Sequence, residues 1–402
     1  MDVGLEILTA VGGSADNAWF GLLVAFVLVP LVGRVFLAWA PAGSPGSHTP
    51  RDLPTTWAAS CLLGTAWFVC GLALAPRTFD GAIVSAGSIF VLLAAVPVAA
   101  LIVRLITAPG GLVPRHEPVR EHVPTAVTFR IVVVVLATPV LAVRADPAQS
   151  WMHVGVPAFA AAILAHEALA QARVSAGLRV AALALVMLVI CGVPAEPPAV
   201  VGYASLGAAG LAAGTVGWIR RGDRRALVVA SVGLVLLART SPEGIVVAIA
   251  AAACIVIGSA QPSRRRAATW MVIAAVVGGI ARSESVRHTI AAPGAAAEHR
   301  HVEWTLLASV AAAFLAAWML RRKREPAEHN PSGAPIGREA FVLGAAAVLA
   351  FVALLAMGGW ASPDRSEAAT RLPEWFGAAW ILLVIAAAIA LSRALERPPR
   401  TR

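Results

Sequence analysis

Thirteen runs of apolar residues follow one another along this chain with arginine at their borders, and that pattern leaves room for few folds. About 20 apolar residues of helix span the ~30 Å of hydrocarbon in a bilayer, and the runs cover roughly residues 19–39, 56–75, 81–103, 126–143, 151–169, 180–193, 199–219, 226–238, 244–260, 267–281, 304–320, 340–360 and 375–391. A mean hydropathy of +0.78, with 59% hydrophobic and only 13% charged residues, excludes a soluble globular domain. The expected fold is therefore all-α, a polytopic transmembrane helix bundle of about 13 spans.

Charge sets the expected orientation. With the N-terminus outside, the inner loops hold 24 of the 32 Lys and Arg residues and the outer loops eight. Basic residues collect on the cytoplasmic side, so the N-terminus is expected outside and the C-terminus in the cytoplasm, in the inner (cytoplasmic) membrane as a multi-pass protein. The same rule accounts for the net charge of +10 without nucleic acid, for which no binding motif is present. No cleavable signal is expected, because the first residues carry Asp2 and Glu6 where a signal peptide is basic. Three regions follow: 1–125, three spans and a basic cytoplasmic loop; 126–303, a helical module with an outer recess; and 304–402, three spans with a basic loop and tail.

Three runs fall short of a full crossing. Arg130 to Arg144, Arg225 to Arg239 and Arg266 to Arg282 lie 14, 14 and 16 residues apart. At 1.5 Å per residue these reach only about 21 to 24 Å, so their outer arginines stop below the outer surface unless side chains snorkel or the bilayer thins. The sharpest of these features is Arg239-Thr240-Ser241-Pro242-Glu243-Gly244, a charged, proline-bearing break between two apolar runs. An ionisable group at membrane depth is costly and marks a functional candidate. Arg144, Asp146, Arg239, Glu243, Arg282 and Glu284 are expected to line one polar recess in the outer leaflet. Guanidinium groups beside carboxylates there suit an anionic lipid headgroup such as a polyprenyl phosphate, with a carboxylate left for acid–base or metal work.

The segment 202–226, a small-residue helix with the basic turn Arg220-Arg-Gly-Asp-Arg-Arg225, followed by Val232-Gly-Leu-Val-Leu-Leu-Ala-Arg-Thr-Ser-Pro-Glu-Gly-Ile245, resembles the multi-spanning C-type glycosyltransferases. These enzymes use polyprenyl-phosphate sugars as donors. The resemblance implies transfer of a sugar from such a donor to an acceptor at the outer face, with Arg239 near the donor phosphate, beside Pro242, Glu243 and Gly244. It also implies that Asp146, in Arg144-Ala-Asp-Pro147, acts as base or metal ligand in an outer loop, and that His153 and Pro157 begin the next helix. Catalytic candidates are thus Asp146 and Glu243, and substrate-binding candidates Arg144, His153, Arg239, Arg282 and Glu284. The outer loop is short for the amphipathic helices of the family, and its paired acidic motif is absent. The cofactor stays open between none and a divalent metal, with no metal-ligand set assigned. The alternative function is a non-catalytic transporter, flippase or scaffold that binds an anionic envelope lipid; protein partners are not identified.

The remaining features have plainer readings. Gly207, Gly210 and Gly214, and the pair Gly278-Gly279, read as close helix packing. Cys61, Cys70, Cys191 and Cys254 read as small core residues. The loops 104–130 and 321–339 read as solvated linkers, the loop 282–303 with His288, His299 and His301 as a solvated loop, and His166-Glu167 as a polar pair at a helix end. Ten of the 12 tryptophans, Trp57 and Trp218 among them, fall at span ends and read as interfacial anchors. Trp67 and Trp380 lie inside their spans and are expected only to pack.

Overall fold

The computed structural model describes residues 23–39, 53–78, 86–107, 155–192, 198–240, 242–259, 265–266, 268–269, 272–273, 338–361 and 365–395. Among these residues the chain is helical and has no strand, as the apolar runs require. A π turn, Val24–Leu28, leads into α1 (Val29–Trp39). There follow α2 (Leu53–Thr78), α3 (Ala86–Thr107), α4 (Val156–Gln171), α5 (Ala176–Gly192), α6 (Pro198–Arg221), α7 (Arg224–Thr240), α8 (Pro242–Gly258), α9 (Arg338–Ala361) and α10 (Arg365–Leu395). Each coincides with one of the apolar runs. By length and apolarity alone, one described stretch, Gly377–Leu395 with mean hydropathy 2.2, suffices to cross a membrane, while Thr55–Cys70, Val156–Gln171, Ala176–Ile190 and Gly244–Gly258 are shorter apolar helices.

The largest departure from the sequence reading is at α10, which begins at Arg365, ten residues before the apolar run. The segment read as an outer loop, Arg365-Ser-Glu-Ala-Ala-Thr-Arg371, is helical instead. Ala, Glu and Arg are strong helix formers, so propensity extends the helix beyond its apolar part.

α6 lies at the centre, packed against α7, α4, α10 and α2, with α9 also in contact. The reason is its glycines. A Cβ added at Gly214 would stand 2.4 Å from the Ala230 nitrogen and 2.5 Å from the Ala226 carbonyl oxygen of α7, and one at Gly233 would stand 2.7 Å from the Gly207 oxygen. The two backbones therefore touch over two turns, an approach that only glycine permits. Gly210 admits the Leu62 side chain of α2 in the same way. The small-residue series of α6 is thus a packing surface, in agreement with the sequence reading. α1 and α2 repeat the device, with Gly33 against the Ser60 carbonyl and Gly64 against the Val29 carbonyl.

Local signals make the turns. Gly222, at φ 69°, ends α6, and Asp223 caps α7 by accepting the Arg225 N–H at 2.9 Å. Arg173 takes the left-handed position that ends α4, where Val174 N–H bonds the Leu169 carbonyl at 3.0 Å. Outside the packed core, the chain is apolar as well. Leu188 on α5 is 69% exposed and Val352 on α9 59%, accompanied by Phe341 and Val348.

Candidate functional site

Of the seven residues proposed for the site, Arg239 is the one whose side chain is described. Arg144, Asp146, His153, Arg282 and Glu284 lie outside the described residues, and Glu243 is placed only as the second residue of α8. Arg239 occupies the last turn of α7 and is 4% exposed. It sits among helices rather than at an aqueous surface, since α7 packs against α6, α8 and α2. Part of its placement is ordinary helix chemistry: a cation in the last turn complements the helix dipole. Thr240 closes the same turn, its hydroxyl donating to the Leu237 carbonyl at 2.9 Å. Pro242 then begins α8, a position where the missing N–H costs nothing.

Helix lengths set the depth of Arg239. α6 has 24 residues and α7 has 17. The two share the turn at Gly222, so α7 ends roughly 10 Å short of the far end of α6 at 1.5 Å per residue. The backbone contacts agree, because the Leu237 nitrogen lies 3.3 Å from a Cβ built on Gly207, leaving Pro198 to Tyr203 of α6 to run on beyond Arg239. The planar guanidinium can grip a phosphate or carboxylate by two parallel hydrogen bonds.

A second polar centre, which the sequence reading missed, occupies the other end of the bundle. Glu339, in the first turn of α9, is 2% exposed. Its carboxylate accepts from Arg220 Nε of α6 at 3.0 Å and faces Arg393 Nη2 of α10 at 3.9 Å. Arg220 also donates to the Gln171 carbonyl, and Arg393 to the Ala172 carbonyl at 2.9 Å, so the end of α4 is tied in. Gln171 in turn donates to Glu167 Oε1 at 2.6 Å, which makes Glu167 part of a polar helix end. Glu339 had been read as the end of a solvated linker; burial beside two arginines corrects that reading. The available signal was a carboxylate at the start of an apolar run, since an acid there complements the helix dipole.

Trp218 corrects the sequence reading in the same way. It is 3% exposed, and its indole donates to Ser259 Oγ at 2.9 Å across α6 and α8. An interfacial anchor would instead present its edge to headgroups. Trp57 is half-buried, between Phe26 at 6.2 Å and Phe159 at 5.8 Å. Trp67 hydrogen-bonds to the Leu93 carbonyl, more than the packing expected of it. Trp380 does pack as expected, edge to face with Phe351 at 5.2 Å. Cys61 and Cys254 are buried and free, as small core residues.

Among the described residues no group of three or more His, Cys, Asp or Glu side chains is placed to hold a metal ion. The chain matches no family model, no curated protein and no solved structure.

Proposed function

We propose that this chain is a multi-pass protein of the cytoplasmic membrane that holds the phosphate of a polyprenyl-phosphate sugar at the Arg239–Gly244 turn and transfers the sugar to an acceptor at the outer face. The observation that carries the lipid-binding part is the burial of Arg239 at 4% exposure, at the end of a helix that stops roughly 10 Å short of its neighbour. A fixed positive charge at that depth is the kind of group that recognises an anionic headgroup from within the membrane. The transfer step rests on the resemblance to C-type glycosyltransferases, with Asp146 as base or metal ligand, Glu243 as second carboxylate, and Arg144, His153, Arg282 and Glu284 as further contacts.

Two features support the membrane reading, with about 13 spans, the N-terminus outside and the C-terminus inside. Large apolar side chains such as Leu188 and Val352 face outward. The segments assigned to the cytoplasmic side by charge, at Gln171–Arg173, Arg220, Arg338 and Arg393, converge on one end of the bundle, while Arg239 lies at the opposite end of α7. Positive-inside alternation expects this sorting.

Transfer of label from a polyprenyl-phosphate sugar by the purified protein in nanodiscs tests the proposal. Wild type is expected to transfer sugar, Asp146→Asn to lose activity by about 100-fold or more as removal of a general base does, and Arg239→Ala to lose donor binding. The second reading is a non-catalytic transporter, flippase or scaffold for the same lipid class, and the burial of Arg239 supports it as well, because binding needs the guanidinium alone. Tight, Arg239-dependent lipid binding without transfer would decide for this reading. Loss of neither activity nor binding on Arg239→Ala would remove both.

A further inference from the structure

α3 carries a buried proline, Pro97, in its interior. Proline has no N–H, so the carbonyl four residues earlier, that of Leu93, loses its ordinary helical partner. The donor comes from another helix. Trp67 of α2 directs its indole Nε1–H to the Leu93 carbonyl at 2.9 Å, and its ring packs on Phe36 of α1 with centroids 5.0 Å apart.

The same relation recurs on the other neighbour of α2. Pro30 stands at the start of α1, and the carbonyl four residues before it belongs to Phe26. Trp57 of α2 donates to that carbonyl at 3.2 Å. Here the π turn Val24–Leu28 precedes the proline, and a π register can offer the carbonyl an N–H five residues on. The second indole therefore has a competitor. Two prolines in two helices, each answered by a tryptophan of the helix between them, form a repeated device. Within hydrocarbon, where no water can satisfy a freed carbonyl, the indole decides whether such a joint is held.

We propose that Pro30 and Pro97 are hinges in the N-terminal helices, and that the Trp57 and Trp67 indoles of α2 are the locks that hold them closed. Releasing Trp67 frees the second half of α3, from Pro97 to Thr107, to swing away from α2. The device does not depend on sugar transfer or lipid binding at Arg239.

A double-mutant cycle isolates the lock from ordinary packing. Trp67→Phe keeps the ring and removes the donor; Pro97→Ala restores an N–H for the Leu93 carbonyl. Trp67→Phe alone is expected to lower the folded-to-unfolded ratio by about five- to tenfold, the value of one net hydrogen bond, and by no more than about twofold when Pro97 is already Ala. Spin labels on Ile106→Cys, which is 75% exposed, and Gly177→Cys, which has open space around it, read the hinge in a background with the four native cysteines replaced by alanine. Their distance distribution is expected to broaden in Trp67→Phe and to return to the wild-type width in Trp67→Phe/Pro97→Ala. Trp57→Phe with Pro30→Ala should show the same pattern more weakly. An unchanged distribution in Trp67→Phe, or additive effects in the cycle, overturns the proposal. If Trp67→Phe does not fold, recovery of folded protein in the double variant supports the lock, and no recovery overturns it.

Discussion

Arginine occupies both ends of the central helix pair, and the two ends use it differently. At the Glu339 end, two guanidinium groups from α6 and α10 share one buried carboxylate and reach the carbonyls that close α4. The charges there link four helices. At the other end, Arg239 lies buried in the last turn of α7, which is seven residues shorter than α6 (24 against 17), and Pro242 and Glu243 of α8 follow. The first arrangement holds helices together, whereas the second is the one proposed to receive a ligand headgroup. The same residue type thus serves packing at one end and is the binding candidate at the other, according to what its helix length and neighbours put beside it.

Substitutions can break this comparison. The largest effect is expected from Glu339→Ala, which strips Arg220 and Arg393 of their shared carboxylate. Removing one partner of a buried pair costs about 3 to 5 kcal/mol, and the value should lie near the lower limit because Arg220 and Arg393 are 22% and 17% exposed. Denaturant unfolding in mixed micelles measures it. Next comes Arg239→Ala, expected to weaken binding of a polyprenyl phosphate about 100-fold, comparable to loss of a bidentate charged contact, with a smaller loss of stability than Glu339→Ala. If Arg239→Ala unfolds the protein as Glu339→Ala does and leaves lipid binding intact, the two ends are alike and the distinction fails.

Smaller effects sharpen the role of the hairpin between these ends. Gly214→Ala forces a methyl to 2.4 Å from the Ala230 backbone nitrogen. Overpacking of this kind costs about 1 to 3 kcal/mol, and because α7 must shift, it should also weaken lipid binding at Arg239. Gly177→Ala makes the control. Nothing lies within 4 Å of a Cβ there, so the substitution should stabilise α5 by about 0.5 to 1 kcal/mol. A thermal melt that ranked Gly177→Ala below Gly214→Ala would contradict the packing assigned to α6.

Much of this architecture was legible before any coordinates. Hydropathy located the ten helices of the described residues because each apolar run needs burial or lipid along its whole length. The glycines of α6 announced a close helix contact, and the charge at Arg239 announced itself because it interrupts apolar sequence. Less legible were features whose partners lie far along the chain. Trp218 and Ser259 are 41 residues apart, and Arg220 and Glu339 are 119 apart. No local pattern relates such pairs, so Glu339 read as part of a linker and Trp218 as an interfacial anchor. The start of α10 was missed for the opposite reason: hydropathy stops at the end of an apolar run, while helix propensity continues.

What the sequence determined by itself is a helical chain, where its helices run, which end of each carries arginine, and which helix can be approached closely. These follow from backbone hydrogen bonding in an apolar medium and from the absence of a glycine side chain, both local causes. Only the tertiary structure decided that Glu339 would join α6 to α10, that Trp67 would answer Pro97, and that Arg239 would lie within the bundle below the end of α6. Each depends on which helices become neighbours and at what register, and that is settled by packing over the whole bundle.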